Sequence, residues 1–175
     1  MSSIRKGFFV DLDRCIKCHA CEIACRIWNG INVPSYRTII EIENGAYPFV
    51  ERTNVSIACM HCEEAYCMAA CPAKAIYKRE DGVVLVDSEK CVGCRLCSWV
   101  CPFGAPKYGP DLKMQKCTFC NDRPDWMPRA CEEACPTGAI VTGTIDYLEK
   151  VIKERKAKRI ISQIRGRRAL LYILP

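Results

Sequence analysis

The sequence predicts an α+β fold of short hairpins and short helices, and three observations lead to this prediction. The 175 residues contain sixteen cysteines, which fall into four groups of four. Apolar runs at residues 8–10 and 83–86 precede the first and third groups and are typical of strands. The pair Asp81-Gly82, which lies between two apolar runs, indicates a hairpin. A chain of this length buries a modest core, so we expect the cysteines to hold much of the fold together.

The spacing within the cysteine groups fits iron–sulfur ligation. The first and third groups read C-x2-C-x2-C-x3-C, and the third continues into Pro102, which is the ligand run of bacterial [4Fe–4S] ferredoxins. Three of the four groups end in Cys-Pro, where proline fixes φ and turns the chain away after the ligand. The sequence therefore predicts four [4Fe–4S] clusters, although the fourth group alone, with ten residues between its second and third cysteines, is the weakest pattern.

Crossed ligation is the expected arrangement, because in two-cluster ferredoxins the fourth cysteine of each run binds the other cluster. The second and third groups are adjacent and joined by the hairpin, so they should form one pair, with the first and fourth groups paired around them. The predicted ligands are Cys15, Cys18, Cys21 and Cys135 for cluster 1; Cys25, Cys117, Cys120 and Cys131 for cluster 2; Cys59, Cys62, Cys67 and Cys101 for cluster 3; and Cys71, Cys91, Cys94 and Cys97 for cluster 4. We expect no catalytic residue.

This pairing predicts two nested bacterial-ferredoxin-like modules, each with two clusters. Residues 1–35 and 109–148 form the predicted outer module, and residues 56–108 form the inner one. Residues 36–55 carry the turn signals Asn44-Gly45 and Pro48 and short strands such as residues 38–42, and they are predicted to be an insertion that lies apart from the clusters. Residues 149–175 are predicted to form a basic helix and an extended tail.

Local signals refine two of these segments. Asp146 is predicted to cap a helix that runs to about residue 158, and the apolar end of the chain, residues 169–175, is predicted to be extended. Pro124 and Pro128 exclude a continuous helix between Cys120 and Cys131.

The formal charge of +6 does not indicate a nucleic-acid partner. Each oxidised cluster with four thiolates carries roughly −2, so four clusters bring the loaded protein to about −2. The positive charge is concentrated in residues 150–168, which hold nine Lys or Arg and one Glu, a net charge of +8. This stretch is either a solvated surface or a docking site, and the docking hypothesis involves Lys156, Lys158, Arg159, Arg165, Arg167 and Arg168.

Other readings of the sequence are weaker. The first residues carry no export signal, which argues against disulfides as the role of the cysteines, and no stretch is apolar enough to span a membrane. A zinc-stapled interaction module is the remaining alternative, and the fourth group fits it best. His19 and His61 are expected beside ligands or at the surface, because all sixteen cysteines are already used. Four aromatic residues are expected to wall the clusters off from water, or alternatively to shape a contact with a quinone or a partner: Trp99, Phe103, Phe119 and Trp126.

The chain resembles the iron–sulfur (beta) subunit of the dimethyl sulfoxide reductase family, from residue 7 through Asp146. The matching segments are Cys59-Met60-His61-Cys62-Glu63, Tyr77-Lys78-Arg79-Glu80-Asp81-Gly82-Val83-Val84, Cys101-Pro102-Phe103-Gly104-Ala105-Pro106, Gln115-Lys116-Cys117-Thr118-Phe119-Cys120 and Cys131-Glu132-Glu133-Ala134-Cys135-Pro136. The resemblance implies a non-catalytic electron-transfer subunit that connects a large molybdopterin- or tungstopterin-containing catalytic subunit to a second redox partner. It also implies that cluster 1 lies nearest the catalytic subunit and cluster 4 farthest from it.

The resemblance leaves several partners open. The second partner is expected to be a quinone-reactive membrane subunit, a flavoprotein or a soluble ferredoxin. Because the chain ends soon after the predicted helix, the alternatives include a free-standing polyferredoxin and the electron-transfer subunit of a hydrogenase, a formate dehydrogenase or a tungsten aldehyde oxidoreductase-type enzyme. The expected location is the cytoplasm, or across the membrane if a partner carries the chain.

Overall fold

The computed structural model describes residues 5–31 and 33–155 in full, and the backbone of three short strands beyond them. The elements are β1 (Lys6–Val10), α1 (Ala20–Asn29), β2 (Thr38–Ala46), β3 (Phe49–Ile57), α2 (Tyr66–Ala69), β4 (Ile76–Lys78), β5 (Val84–Val86), α3 (Leu96–Trp99), β6 (Lys107–Tyr108), β7 (Met114–Gln115), α4 (Ala130–Glu133), β8 (Ile140–Thr144), α5 (Ile145–Glu154), β9 (Ser162–Ile164), β10 (Arg167–Ala169) and β11 (Leu171–Tyr172).

β1 is the centre of a three-stranded sheet, with β8 antiparallel on one side and β11 parallel on the other. Alternate side chains of a strand point to opposite faces, and β1 uses both faces. Phe8 packs in a core cluster that contains cysteines of three of the groups, whereas Phe9 packs beneath α5 with Val141 and Leu148. One short strand therefore joins the cysteine-rich core to the helix that covers the sheet.

The hairpin predicted around Asp81-Gly82 is present, since β4 and β5 pair antiparallel on either side of it. Gly82 has a φ of +80°, which a glycine adopts without strain. The turn also contacts β1: the Lys6 N–H donates to the Asp81 carbonyl oxygen at 3.2 Å, and the Lys6 Nζ lies 3.2 Å from the Asp81 carboxylate. These bonds join the hairpin to the central sheet.

The segment between the first two cysteine groups differs from the expectation of short strands. β2 and β3 are nine residues each and form one long antiparallel hairpin that turns at Tyr47-Pro48. Gly45, expected at a turn, lies instead within β2 opposite Val50. Pairing overrides the local turn signal because Gly45, at a φ of +87°, lets the chain approach Phe49 closely without leaving the ladder.

Helix α5 begins earlier than expected. Its N-cap is Thr144, whose hydroxyl accepts a hydrogen bond from the Tyr147 N–H at 3.4 Å, so the prediction of Asp146 as the cap is wrong. Thr144 has the extended conformation that a cap requires. Asp146 lies in the first turn, where the negative charge of a carboxylate interacts favourably with the helix dipole. The segment between Cys120 and α4 is not helical, as the two prolines predict.

Part of the C-terminal prediction lies outside the described residues. The helix is described to Glu154, and its expected continuation through residue 158 lies beyond the described range. In the docking hypothesis, Lys156, Lys158, Arg159 and Arg165 lie outside the described residues, and only the backbone of Arg167 and Arg168 is described, in β10. Among the described residues, no helix combines the length and the apolar character needed to cross a membrane.

Candidate cluster-binding sites

Four cysteines from two sequence groups line one cavity beside α2. Cys59 and Cys62 lie in the loop after β3, Cys67 lies in α2, and Cys101 follows α3. Burial, together with the neighbouring thiolates of Cys59 and Cys101, raises the pKa of Cys67 to about 11. These four cysteines are the predicted ligands of cluster 3. Three of them belong to group two, and Cys101 belongs to group three.

The other four cysteines of these two groups line a second cavity. Cys71, at the end of group two, meets Cys91, Cys94 and Cys97 of group three. α2 and α3 pack against each other, so the cysteine that follows α2 reaches the loop before α3. This set matches the predicted ligands of cluster 4.

A third cavity is lined by cysteines from the first and fourth groups. Cys25 projects from α1, Cys117 and Cys120 come from the loop after β7, and Cys131 lies in α4. All four side chains are buried, and α1 packs against α4. The set matches the predicted ligands of cluster 2.

The remaining cysteines surround the same pair of helices. Cys15 and Cys18 lie in the loop before α1, Cys21 lies in α1, and Cys135 follows α4. The Cys15 carbonyl oxygen accepts a hydrogen bond from the Asn54 side chain at 3.0 Å, which ties this loop to β3. The assignment of these four cysteines to cluster 1 stays a prediction.

Backbone N–H groups point at several of the cysteine sulfurs. The Ala75 N–H donates to Cys71 Sγ at 3.3 Å, and the Ala139 N–H donates to Cys135 Sγ at 3.2 Å. Both donors lie four residues after the sulfur, in matching Cys-Pro-x-x-Ala segments in which the residue before the alanine, Lys74 or Gly138, has a positive φ. Such donors offset the negative charge that a ligated sulfur carries. Two further N–H groups, those of Met114 and Phe119, donate to Cys91 and Cys117.

Within the described part of the chain, two of the buried cations that lie among the cysteines have no carboxylate partner. Arg37 is 2% exposed and Lys116 is 4% exposed, and among the described residues neither forms an ion pair with a carboxylate. Lys116 donates to the carbonyl oxygens of Val84 and Cys117. Buried charges in proteins are normally paired, so the cysteine sets must supply the negative charge. Clusters with a net negative charge therefore fit these cavities, because they would neutralise the buried cations.

The sequence reasoning missed two cavity-lining residues that lie immediately before the long hairpin. Tyr36 and Arg37 line the cavity of Cys25, Cys117, Cys120 and Cys131, so this part of the predicted insertion belongs to the wall of a cysteine site. A lone arginine beside a strand carries no spacing signal that would have revealed it. Lys116, in contrast, lies next to Cys117 and within a segment that carries the family resemblance.

The aromatic predictions divide. Phe119 is buried, with its ring centroid 4.8 Å from that of Phe8 and 5.7 Å from that of His61, and Phe103 lines the cavity of cluster 3. The prediction that Trp99 and Trp126 wall the clusters off from water is wrong, because these side chains are 88% and 80% exposed. Both lie on the outer side of the loops and short helices that carry them.

The two histidines have different surroundings. His19 is partly exposed beside Glu22. His61 is buried, and its Nδ1 accepts a hydrogen bond from the Val84 N–H at 3.0 Å. Burial, together with the charge of Lys116, holds the pKa of His61 well below its usual value, so the ring is neutral at pH 7. Nδ1 accepts, so the proton lies on Nε2.

Three of the four cysteine sets line cavities rather than converging on a point. Within residues 5–31 and 33–155, no three His, Cys, Asp or Glu side chains lie close enough together to hold one metal ion. A four-iron cube takes one thiolate at each iron, so its ligands stand at the corners of a tetrahedron around a cavity.

The comparison with protein families decides the class of the protein. Residues 50–145, more than half of the chain, match the family described as the 4Fe-4S dicluster domain. The protein belongs to this family. Its mixed helices and strands agree with the predicted α+β class, and the prediction of [4Fe–4S] cofactors is confirmed.

Curated relatives of this dicluster protein are subunits of oxidoreductases. It is 35% identical over 183 residues to the formate dehydrogenase iron-sulfur subunit of Wolinella succinogenes, covering 90% of each sequence. It is 41% identical over 155 residues to a subunit of the anaerobic dimethyl sulfoxide reductase of Escherichia coli, covering 82% of this sequence and 76% of that one. A third relative, a subunit of the sulfite dehydrogenase of Allochromatium vinosum, is 38% identical over 162 residues, covering 78% and 67%.

These relatives confirm the predicted iron–sulfur subunit of the dimethyl sulfoxide reductase family, and a non-catalytic electron-transfer role. The domain boundaries, the sixteen ligand assignments and the location stay predictions.

Proposed function

We propose that this chain carries four [4Fe–4S] clusters, bound by the four predicted cysteine sets, and transfers electrons between a molybdopterin- or tungstopterin-containing catalytic subunit and a second redox partner. The observation that carries the proposal is that three cavities are each lined by four cysteines, and that each set combines three ligands of one group with the last ligand of another. Crossed sets are what a ferredoxin-type pair requires.

Matching backbone bonds support two nested modules. The Asp11 N–H donates to the Ala139 carbonyl oxygen at 2.7 Å, between the ends of β1 and β8. The Asp87 N–H donates to the Ala75 carbonyl oxygen at 2.8 Å, between the ends of β5 and β4. In each case the donor leads into a cysteine group and the acceptor follows a Cys-Pro segment. This equivalence supports one pair of groups enclosed within the other.

Contacts between the cysteine sets support a linear order of the clusters. Cys21 of set 1 and Cys25 of set 2 lie one turn apart on α1. Cys117 of set 2 and Cys59 of set 3 are buried in one core cluster, which supports set 2 next to set 3. Cys67 and Cys97 share one core cluster, which brings set 3 next to set 4. The proposed order is therefore cluster 1, 2, 3 and 4.

Exposure agrees with this order. Cys18 of set 1 and Cys94 of set 4 are the two exposed cysteines, whereas every cysteine of set 2 is buried. Apolar side chains that neighbour the exposed pair in sequence are themselves exposed, including Ile16, Ile23 and Val92. Exposed apolar patches mark interaction sites, so we propose that partners contact the chain near clusters 1 and 4.

The protein side of the mechanism consists of binding, positioning and exclusion of water. When bound, the clusters supply a series of one-electron acceptors. The cysteines bind the clusters, and the N–H groups of Ala75 and Ala139 offset the negative charge on the cysteine sulfurs. The packed rings of Phe8 and Phe119 exclude water from the core between the cysteine sets. No described residue needs to act as an acid, a base or a nucleophile for this task.

Crossed ligation has a sharp test in four single substitutions, measured on the anaerobically purified protein by iron and sulfide analysis and by electron paramagnetic resonance. The intact chain should contain about sixteen irons and sixteen sulfides. We expect Cys101→Ala to lose the same cluster signal as Cys62→Ala, because both residues line one cavity. Cys71→Ala should lose the same signal as Cys94→Ala.

The opposite pairing would contradict the proposed ligand sets. If Cys101→Ala matched Cys94→Ala, each sequence group would bind its own cluster. Protein that is colourless and contains stoichiometric zinc would overturn the cluster proposal altogether and favour a zinc-stapled module.

The partner proposal needs a separate measurement. A tagged chain expressed in its native host and purified without oxygen should bring with it a large subunit that contains pterin and either molybdenum or tungsten. Loaded protein that elutes as a free monomer, with no pterin in any associated fraction, would support the free-standing polyferredoxin instead.

A further inference from the structure

Arg37 occupies an unusual position immediately before β2. Its side chain is buried, and its guanidinium carbon lies 4.5 Å from the centre of the Phe8 ring. Nη1 donates to the carbonyl oxygen and the hydroxyl of Ser56, at 3.1 and 3.2 Å. These contacts fix the plane of the guanidinium inside the cysteine-rich core.

The other terminal nitrogen of Arg37 is unsatisfied. Nη2 is buried and has no hydrogen-bond partner among the described residues. No described carboxylate pairs with the guanidinium either. Burying a charge and an unpaired donor together is costly, so a partner with negative charge is expected in the adjoining space.

The adjoining space is the cavity of cluster 2. Arg37 lines it together with Cys25, Cys117 and Cys131. Burial by itself would lower the pKa of the guanidinium, but these three cysteines and Cys21, when ionised, hold that pKa above its usual value. The Ser56 hydroxyl that accepts a hydrogen bond from Arg37 also lies 3.5 Å from Cys21 Sγ, so Arg37 lies between the proposed sets of clusters 1 and 2.

We propose that Arg37 donates a hydrogen bond from Nη2 to cluster 2 or to one of its cysteine sulfurs, and that its fixed charge raises the reduction potential of that cluster. The inference rests on the proposed function, since it requires a cluster bound by this cysteine set. A cluster becomes more negative when it is reduced, so a nearby cation stabilises the reduced form more than the oxidised form. Arginine keeps its charge at every working pH, and screening is weak in a buried site.

A second arginine of the same cavity provides a matched control. Arg129 is also buried and lines the cavity, but its donors are occupied. Nη1 donates to the carbonyl oxygens of Cys120 and Arg123, and Nη2 donates to the Asp125 carboxylate at 3.1 Å. Its charge is therefore already paired, and removing it should change the potential of cluster 2 less.

The test is a redox titration of the loaded, full-length protein, monitored by electron paramagnetic resonance, for Arg37→Gln, Arg37→Lys and Arg129→Gln. We expect Arg37→Gln to lower the ratio of reduced to oxidised cluster 2 at a fixed potential at least tenfold, which is about 59 mV for a one-electron couple. Arg37→Lys keeps the charge but loses the planar donor, so its shift should be in the same direction and smaller. Clusters 3 and 4 should keep their potentials.

Two results would overturn the proposal. One is a cluster 2 potential that Arg37→Gln leaves unchanged in a protein with full iron content, and the other is an equal shift in Arg129→Gln. Either result would refute the role of Arg37 and leave the proposed electron-transfer function unaffected. The proposed function would be refuted by a different result, namely wild-type protein that contains no clusters.

A measurement on the wild-type protein covers the case in which Arg37→Gln fails to fold. Arginine labelled with 15N only in the guanidinium should give a hyperfine coupling to reduced cluster 2 in a pulsed electron paramagnetic resonance spectrum. That coupling should be lost in Arg37→Lys and kept in Arg129→Lys. If the labelled wild type shows no coupling, the hydrogen bond does not exist and the inference is wrong.

Discussion

Replacing Leu148 with alanine tests whether α5 stabilises the sheet on which the cysteine core rests. Leu148 is completely buried, and it packs with Phe9 of β1 and Val141 of β8 on the face of the sheet that lies away from Phe8. Truncation of a buried leucine to alanine costs about 2–5 kcal/mol. We take about 3 kcal/mol, which corresponds to roughly a 150-fold change in the unfolding equilibrium at about 1.4 kcal/mol per tenfold.

The assay is the loss of cluster absorbance in guanidinium under anaerobic conditions, because a protein that releases its clusters on unfolding is best described by a rate. Leu148→Ala should speed this loss by up to about 150-fold. Iron content and cluster potentials before unfolding should equal those of the wild type, because the substitution lies on the far side of β1.

The matched control is Lys150→Ala, an exposed position on the same helix. A surface change of this kind is expected to stay within about 0.5 kcal/mol, or roughly twofold in rate. If Leu148→Ala lost its clusters no faster than Lys150→Ala, α5 would not stabilise the sheet, and the reasoning from burial would be refuted.

Two further substitutions give directional predictions. Gly45→Ala should weaken the hairpin and increase amide hydrogen exchange across β2 and β3, because the added Cβ would lie 2.2 Å from the Phe49 carbonyl oxygen. The control is Gly30→Ala, which also lies at a positive φ but in open space and should leave that exchange unchanged. Equal effects of the two substitutions would contradict the predicted clash. Tyr108→Phe removes a hydroxyl that lies 3.2 Å from Cys97 Sγ, and loss of this donor should lower the potential of cluster 4 by up to about 60 mV in a redox titration. Tyr77→Phe, an exposed control, should have no effect, and an unshifted potential in Tyr108→Phe would show that the hydroxyl does not influence the cluster.

The element predictions succeeded where one local signal acted alone and failed where tertiary pairing competed with it. The Asp81-Gly82 hairpin is present because β4 and β5 are short and, within the described part of the chain, pair only with each other. The Asn44-Gly45 signal misled because a nine-residue ladder continues past it. Asp146 is a good cap residue by type, but the end of β8 places Thr144 in the extended conformation that the cap needs.

The aromatic residues illustrate a second limit. Proximity to cysteines in sequence correctly predicted that Phe119 is buried, but the same criterion failed for Trp99 and Trp126. A loop that wraps a cavity has an inner and an outer face, and which of its side chains points inward depends on local dihedral angles that spacing does not encode.

By itself, the sequence determined the chemistry of this protein. The spacing of the cysteines specifies the cofactor class, because a four-iron cube needs thiolates at intervals that a short loop can present, and the repeated groups predict which ligands are exchanged. Tertiary structure alone decided the surroundings of those ligands. It placed Tyr36 and Arg37 in the wall of the cavity that Cys25 and Cys131 line. It also buried Arg37 without a carboxylate partner among the described residues, because the charge balance of a buried site depends on which distant segments meet there.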